Sequence, residues 1–278
     1  MLSTLAARAA RRMPRGLFGT CVGRFARSRV SRIAVRPFIW AFGVDTAEAD
    51  RDVSDYGSLS EFFVRKLKDG ARPVDADPGG LISPVDGVLS DCGRVHEGTA
   101  VMVKGRTLGI VDLVGYTQAD HLLGGGFSVH YLHPRDYHWI HSPCEGNVTA
   151  YSHIPGDFYP VFPAAQDEFG CTFAQNERVI TFMETPLGRM AVAKVAAMGV
   201  GNISLAYAGV EACRGSIENT VELDPPVPVA KGDPLGTFHF GSTVVVVWEN
   251  AGIVPLPGVA GRHVLMGESF ARIGNPPR

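Results

Sequence analysis

The sequence predicts an α+β protein, with N-terminal amphipathic helices followed by an antiparallel β-rich core that contains barrel-sandwich-like hairpins. Three observations carry that prediction. The first 44 residues set Arg among Leu, Ala, Phe, Val and Ile at near-helical spacing. From Arg72 onward, short apolar runs alternate with Gly, Pro and Asp turns. Gly (33) and Pro (19) are abundant among the 278 residues, which favours many turns and short strands. With 45% hydrophobic residues, a chain of this length buries a substantial core.

The N-terminal segment, residues 1–45, is the first unit. Up to Val44 it holds nine Arg and no acidic residue, whereas the remainder has 17 basic against 28 acidic residues. A basic arm on an acidic body points to an anionic partner. Phe38, Trp40 and Phe42 add an aromatic cluster, and a basic, aromatic, amphipathic segment suits a membrane interface. A helix packed on the acidic body and an Arg-rich mitochondrial targeting peptide are the alternatives. Nucleic acid is not expected as a partner, because the body is acidic. No run of 18 apolar residues occurs, so no membrane span is expected.

The second unit is residues 46–278. Ser58-Leu-Ser-Glu-Phe-Phe resembles a helix start, with Ser58 or Ser60 as the cap. Strands are expected at Gly87–Leu89, Phe127–Leu132, Asn147–His153, Arg178–Met183, Met190–Val195, Gly236–Phe240 and Thr243–Trp248. The last is β-branched and apolar throughout, as a buried strand would be. Val111–Leu123 offers a weak helical pattern. Val229 to Phe238 reads as strand, tight Lys231-Gly232-Asp233 turn, strand. The five cysteines (Cys21, Cys92, Cys144, Cys171 and Cys213) are odd in number and lack any C-x-x-C spacing, so reduced thiols are expected.

Three segments carry chemistry. In Gly241-Ser242 the hydroxyl can attack the preceding carbonyl through a five-membered ring, turning the amide into an ester. β-Elimination and hydrolysis of the ester would then leave a pyruvoyl group. Gly permits the backbone geometry this attack needs, but a Gly-Ser turn before a strand is the commoner meaning of the dipeptide. His133, His138 and His141 fall within nine residues; acid–base roles suit them better than a metal, since H-x-x-H without further ligand spacing is a weak zinc signal. Asp86 sits in Ser83-Pro-Val-Asp86-Gly87, either as turn chemistry or as an acid that orients a histidine.

Taken together these segments resemble the phosphatidylserine decarboxylases. The matching pieces are FFVRKLKDGARPVD (Phe62–Asp75), SPVDG (Ser83–Gly87), YLHPRDYHWIHSPCEG (Tyr131–Gly146), NERV (Asn176–Val179), VGNI (Val200–Ile203), FGST with its strand, and GVAGRHVLMGESFARIG near the end. The resemblance implies self-cleavage between Gly241 and Ser242 into a beta chain, 1–241, and an alpha chain, 242–278. It implies a pyruvoyl cofactor made from Ser242 that forms a Schiff base with the substrate amine, and no metal. Asp86, His141 and Ser242 would form a charge-relay set for the cut, and His138 would move a proton during decarboxylation. The implied partners are phosphatidylserine in a membrane, the two fragments with each other, and a second copy as a homodimer. The implied location is the cytoplasmic face of a bacterial inner membrane, ahead of a mitochondrial one. One departure is Phe240, where the commonest bacterial form has Leu; the change keeps the site apolar. A pyruvoyl decarboxylase of a soluble amino acid and a non-catalytic lipid-binding β-domain are the rival readings.

Overall fold

The computed structural model describes residues 22–95, 100–103, 106–115, 119–161, 172–197, 203–207, 211–212, 219–239 and 242–274. The first half of the basic arm, Cys21, Cys171, Cys213, most of the VGNI segment, Phe240 and Gly241 lie outside them.

The arm is helical over 22–27, continues as a 3-10 turn, Arg29–Ala34, and ends in helix α1 (Val35–Phe42). Gly43 closes α1 in the left-handed conformation, φ 66°, with its N–H on the Ile39 carbonyl. The inward face of α1, Val35 and Phe38, packs with Tyr56, Leu59, Phe62 and Phe63 in a small separate core. Helix α2 (Leu59–Phe63) supplies much of that core, and Ser58 caps it by accepting from the Glu61 N–H at 3.1 Å. The described part of the arm is therefore docked on the body.

Strands in chain order are β1 (Gly80–Ile82), β2 (Gly87–Arg94), β3 (Ala100–Val103) and β4 (Arg106–Gly109). Helix α3 (Ile110–Val114) is followed by β5 (Gly126–Tyr131), β6 (Trp139–His141), β7 (Gly146–Ile154), β8 (Arg178–Thr185) and β9 (Gly188–Val195). Then come β10 (Ile203–Leu205), β11 (Glu211–Ala212), β12 (Asn219–Val229) and β13 (Pro234–Phe238). The chain ends with β14 (Thr243–Trp248), β15 (Ile253–Pro255), β16 (His263–Val264) and β17 (Ser269–Ile273). All named pairings are antiparallel: an eight-stranded sheet ordered β12-β7-β8-β9-β14-β5-β2-β16, a four-stranded sheet β11-β10-β13-β6, a three-stranded sheet β1-β17-β15, and the β3-β4 pair. This is the expected α+β class with a mostly β core.

Strand β14 explains why the core holds together. Each of its residues is buried, so both sheet faces are covered, and it pairs with β9 and β5 along its whole length. Val244 stands between Lys194 and His130.

Three details differ from expectation. Residues 229–238 turn tightly at Lys231–Asp233, but β12 pairs with β7 in the large sheet while β13 pairs with β6 and β10 in the small one. The segment is thus a sheet-to-sheet crossing and not a hairpin. The pattern over Val111–Leu123 divides into α3 and a separate 3-10 turn, Asp120–Leu122. Strand β12, with Pro225, Pro226 and Pro228, has no counterpart among the expected strands; it lies at the sheet edge, the place where missing N–H groups are tolerated.

A second crossing matters more. The chain leaves the four-stranded sheet at Phe238 and enters the eight-stranded sheet at Thr243.

Candidate active site

Ser242 opens β14 and is fully buried, its carbonyl accepting from the Leu132 N–H at 3.0 Å. Among the described residues its Oγ has no hydrogen-bond partner, and neither has the buried Oγ1 of Thr243. Upstream, the Phe238 N–H donates to the His138 carbonyl at 3.0 Å, and His239 Nε2 shares a 2.7 Å hydrogen bond with Ser204 Oγ. The crossing segment is thus pinned on both sides of Gly241.

His138 leads into β6 and is fully buried. Its Nδ1 lies 2.8 Å from the Asp136 carbonyl. A carbonyl only accepts, so Nδ1 carries the proton and Nε2 keeps its lone pair. That Nε2 is buried without a partner. Burial pushes the imidazole down to about 3, helped by Arg65 and His133 and opposed by the Asp136 carbonyl. The ring is neutral, and Phe63 presses on it with centroids 4.0 Å apart.

His141, at the end of β6, has the same tautomer for the same reason: Nδ1 faces the Gly232 carbonyl at 2.7 Å. Its Nε2 is 3.1 Å from the Tyr137 hydroxyl. Burial holds it below the ordinary histidine range, against the Gly232 carbonyl and the charges of Asp86 and Asp233. The Lys231–Asp233 turn thus orients the histidine.

Asp86 is expected from the sequence to hold His141, and the structure gives it other partners. It accepts from Arg72 Nε at 2.9 Å and Nη2 at 2.6 Å, and from the Met266 N–H at 2.8 Å. Arg72 also forks onto Glu48 at 2.9 and 2.7 Å. The two residues remain neighbours, since the His141 N–H donates to Pro84 two residues before Asp86. Among the described residues no hydrogen bond joins Asp86 to His141, or Ser242 Oγ to either histidine.

Sequence reading misses Arg72, Tyr137, Phe63 and Arg65. All four lie in the FFVRKLKDGARPVD and YLHPRDYHWIHSPCEG segments, so long unbroken motifs are the available signal. Two cavities meet at Arg72 and Tyr137. One of about 270 Å³ is lined by Arg65, Asp86, Arg135 and His263 among others, and one of about 260 Å³ by Lys66, Trp139 and His141. Another cavity, about 530 Å³, lies against β7, β8, β9 and β12 and touches none of these residues.

Three buried polar atoms without partners (Ser242 Oγ, Thr243 Oγ1 and His138 Nε2) are costly, each on the order of 1–3 kcal/mol. Among the described residues, the Ser242 hydroxyl is held by no hydrogen bond that an attack would have to break.

Comparison with known proteins identifies the family. Residues 59–272 match the family model described as Phosphatidylserine decarboxylase. The chain is 36% identical over 265 residues to a phosphatidylserine decarboxylase proenzyme of Brevibacillus brevis, covering 94% of this chain and 95% of the relative. A Myxococcus xanthus proenzyme is 38% identical over 242 residues, covering 85% and 86%. One from Acinetobacter baylyi is 34% identical over 270 residues, covering 95% and 94%.

Proposed function

The chain belongs to the phosphatidylserine decarboxylase family, and from that premise we propose how its own residues perform maturation and turnover. It is a carboxy-lyase that converts phosphatidylserine to phosphatidylethanolamine, made as a proenzyme that becomes two chains. The observation that carries the residue assignment is the unpartnered Ser242 Oγ, at the crossing between two sheets.

In maturation His141 Nε2 takes the Ser242 proton and Oγ attacks the Gly241 carbonyl. The peptide C–N bond breaks as the acyl group passes to oxygen. Loss of the Ser242 α-proton then expels the Gly241 carboxylate, and water releases the nitrogen as ammonia. His141 is neutral, the state a base requires, with Gly232 fixing its tautomer. Tyr137 holds the Nε2 lone pair until the proton moves. Asp86 acts on His141 through its charge, while Arg72 and the Met266 N–H fix the carboxylate.

The pyruvoyl group supplies a ketone that accepts the substrate amine and an acyl system that takes up the electron pair freed when carbon dioxide leaves. The reaction consumes one proton, and His138 relays it, taking it up on the Nε2 lone pair and passing it to the substrate carbon. Its surroundings exclude water, and Phe63 and the Asp136 carbonyl hold the ring. His138→Gln is expected to cut itself as the wild type does yet lose at least about 100-fold in turnover, whereas His141→Gln stays whole. Intact mass and product release from phosphatidylserine micelles read both. An uncut His138→Gln chain would reverse the two assignments.

The arm is the proposed contact with the bilayer, at the cytoplasmic face of a bacterial inner membrane. Ile33 and Trp40 are 76% and 87% exposed, and Arg24, Arg27, Arg29, Arg32 and Arg36 are exposed around them. No helix among the described residues is long and apolar enough to cross a membrane. Removing the arm to residue 40 would strip Val35 and Phe38 from the core around Phe63, so point substitution is the cleaner test. Trp40→Glu is expected to cut normally while sedimenting poorly with anionic vesicles; undiminished sedimentation would refute the arm's role.

A further inference from the structure

Arg65 follows α2, and only 3% of it is exposed. Its Nη2 donates to the Arg135 carbonyl at 2.8 Å and reaches the Asp136 carbonyl at 3.4 Å. That Asp136 oxygen is also the acceptor for His138 Nδ1–H. Arg65 Nε and Nη1 are buried without hydrogen-bond partners among the described residues. Its guanidinium carbon sits 5.2 Å from the centroid of the Phe62 ring, and the next ring, Phe63, packs on His138.

A buried cation without an adjacent carboxylate is unfavourable for folding. Among the described residues no acidic side chain is within ion-pair distance of Arg65. What Arg65 does reach is the carbonyl pair that holds the Asp136–His138 turn. A neutral donor could tie down that turn without the cost of a buried charge. The guanidinium instead presents several N–H donors in one fixed plane, and a single Nη2 reaches both carbonyls.

We propose that Arg65 is a positioning residue for His138: it clamps the Arg135 and Asp136 carbonyls that set the imidazole tautomer. The proposal rests on His138 being the proton donor in turnover.

The test is a double-mutant cycle in the full chain, with Arg65→Met, His138→Gln, the double variant and Arg65→Lys. Intact mass follows the cut, and turnover is measured on phosphatidylserine–detergent micelles. Arg65→Met is expected to cut normally and to lose about 10- to 100-fold in kcat, as outer-layer partners of a functional histidine do, with KM little changed. The double variant should be no slower than His138→Gln, because both substitutions remove one function. Arg65→Lys should recover part of the loss. Losses that multiply in the double variant, or a change confined to KM, overturn the proposal. If Arg65→Met is insoluble, the same cycle is run with Arg65→Gln. Arg65 variants that all stay uncut while His138→Gln matures also overturn it. Full turnover by His138→Gln would instead sink the assignment of His138.

Discussion

Ser242→Ala is expected to remain one chain of 278 residues, whereas the wild type yields fragments 1–241 and 242–278. The effect should be complete, because both the attacking oxygen and the atoms of the future ketone come from this one side chain. The wild type should acquire a carbonyl that hydrazine traps on the small fragment, and Ser242→Ala should acquire none. Turnover on phosphatidylserine should fall to background. The Ser242 side chain makes no hydrogen bond and Ala fits the same space, so the variant should fold as well as the parent. That makes it an uncut reference for the other measurements. A Ser242→Ala chain that still divides at the same bond would end the account of the cut.

Lys194→Met, made in that uncut background, is expected to stabilise the protein by about 4 kcal/mol at pH 7. Lys194 lies in β9, fully buried, and its Nζ donates only to the Thr181 hydroxyl, which is 2.8 Å from the Tyr207 hydroxyl. Burial alone lowers its pKa from 10.5 to about 7. The unfolded chain therefore binds more protons than the folded chain between pH 7 and pH 10.5, and stability rises with pH across that window. Below it the penalty is fully present, at ~1.4 kcal/mol for every tenfold loss of proton affinity on folding. Met keeps the volume and removes the titrating group, while Thr181 retains Tyr207 as partner. The gain should shrink as pH rises through 10.5 and vanish above it, where both states hold a neutral amine. Equal urea midpoints for the two proteins at pH 7 would contradict this.

Local patterns in the sequence expose the elements whose reasons are local. β14 is readable from Thr243-Val-Val-Val-Val-Trp, since only a doubly covered strand is apolar on both faces. The Ser58 cap is readable from its spacing to Glu61. Partners set by distant segments are not. The Lys231–Asp233 turn is visible, but which sheets its two flanking strands join is fixed by β7 and β6, some ninety residues away. Asp86 is visible as a turn acid, while its pairing with Arg72 depends on how the chain after α2 folds back. Strand β12 is hidden because three prolines argue against a strand, and only its edge position makes them tolerable.

The place of β14 at the middle of the large sheet gives maturation a direction in time. With the cut at Gly241–Ser242, the alpha chain would supply a central strand, β14, and the edge strand, β16, to a sheet whose other six strands belong to the beta chain, with β17 threaded onto β1. Such an arrangement assembles readily while the pieces are tethered. Once the tether is gone, unfolding releases two molecules that meet again only by diffusion, at a rate that falls with dilution. The finished enzyme thus persists through slow unfolding, and each copy gets a single opportunity to assemble by the intramolecular route.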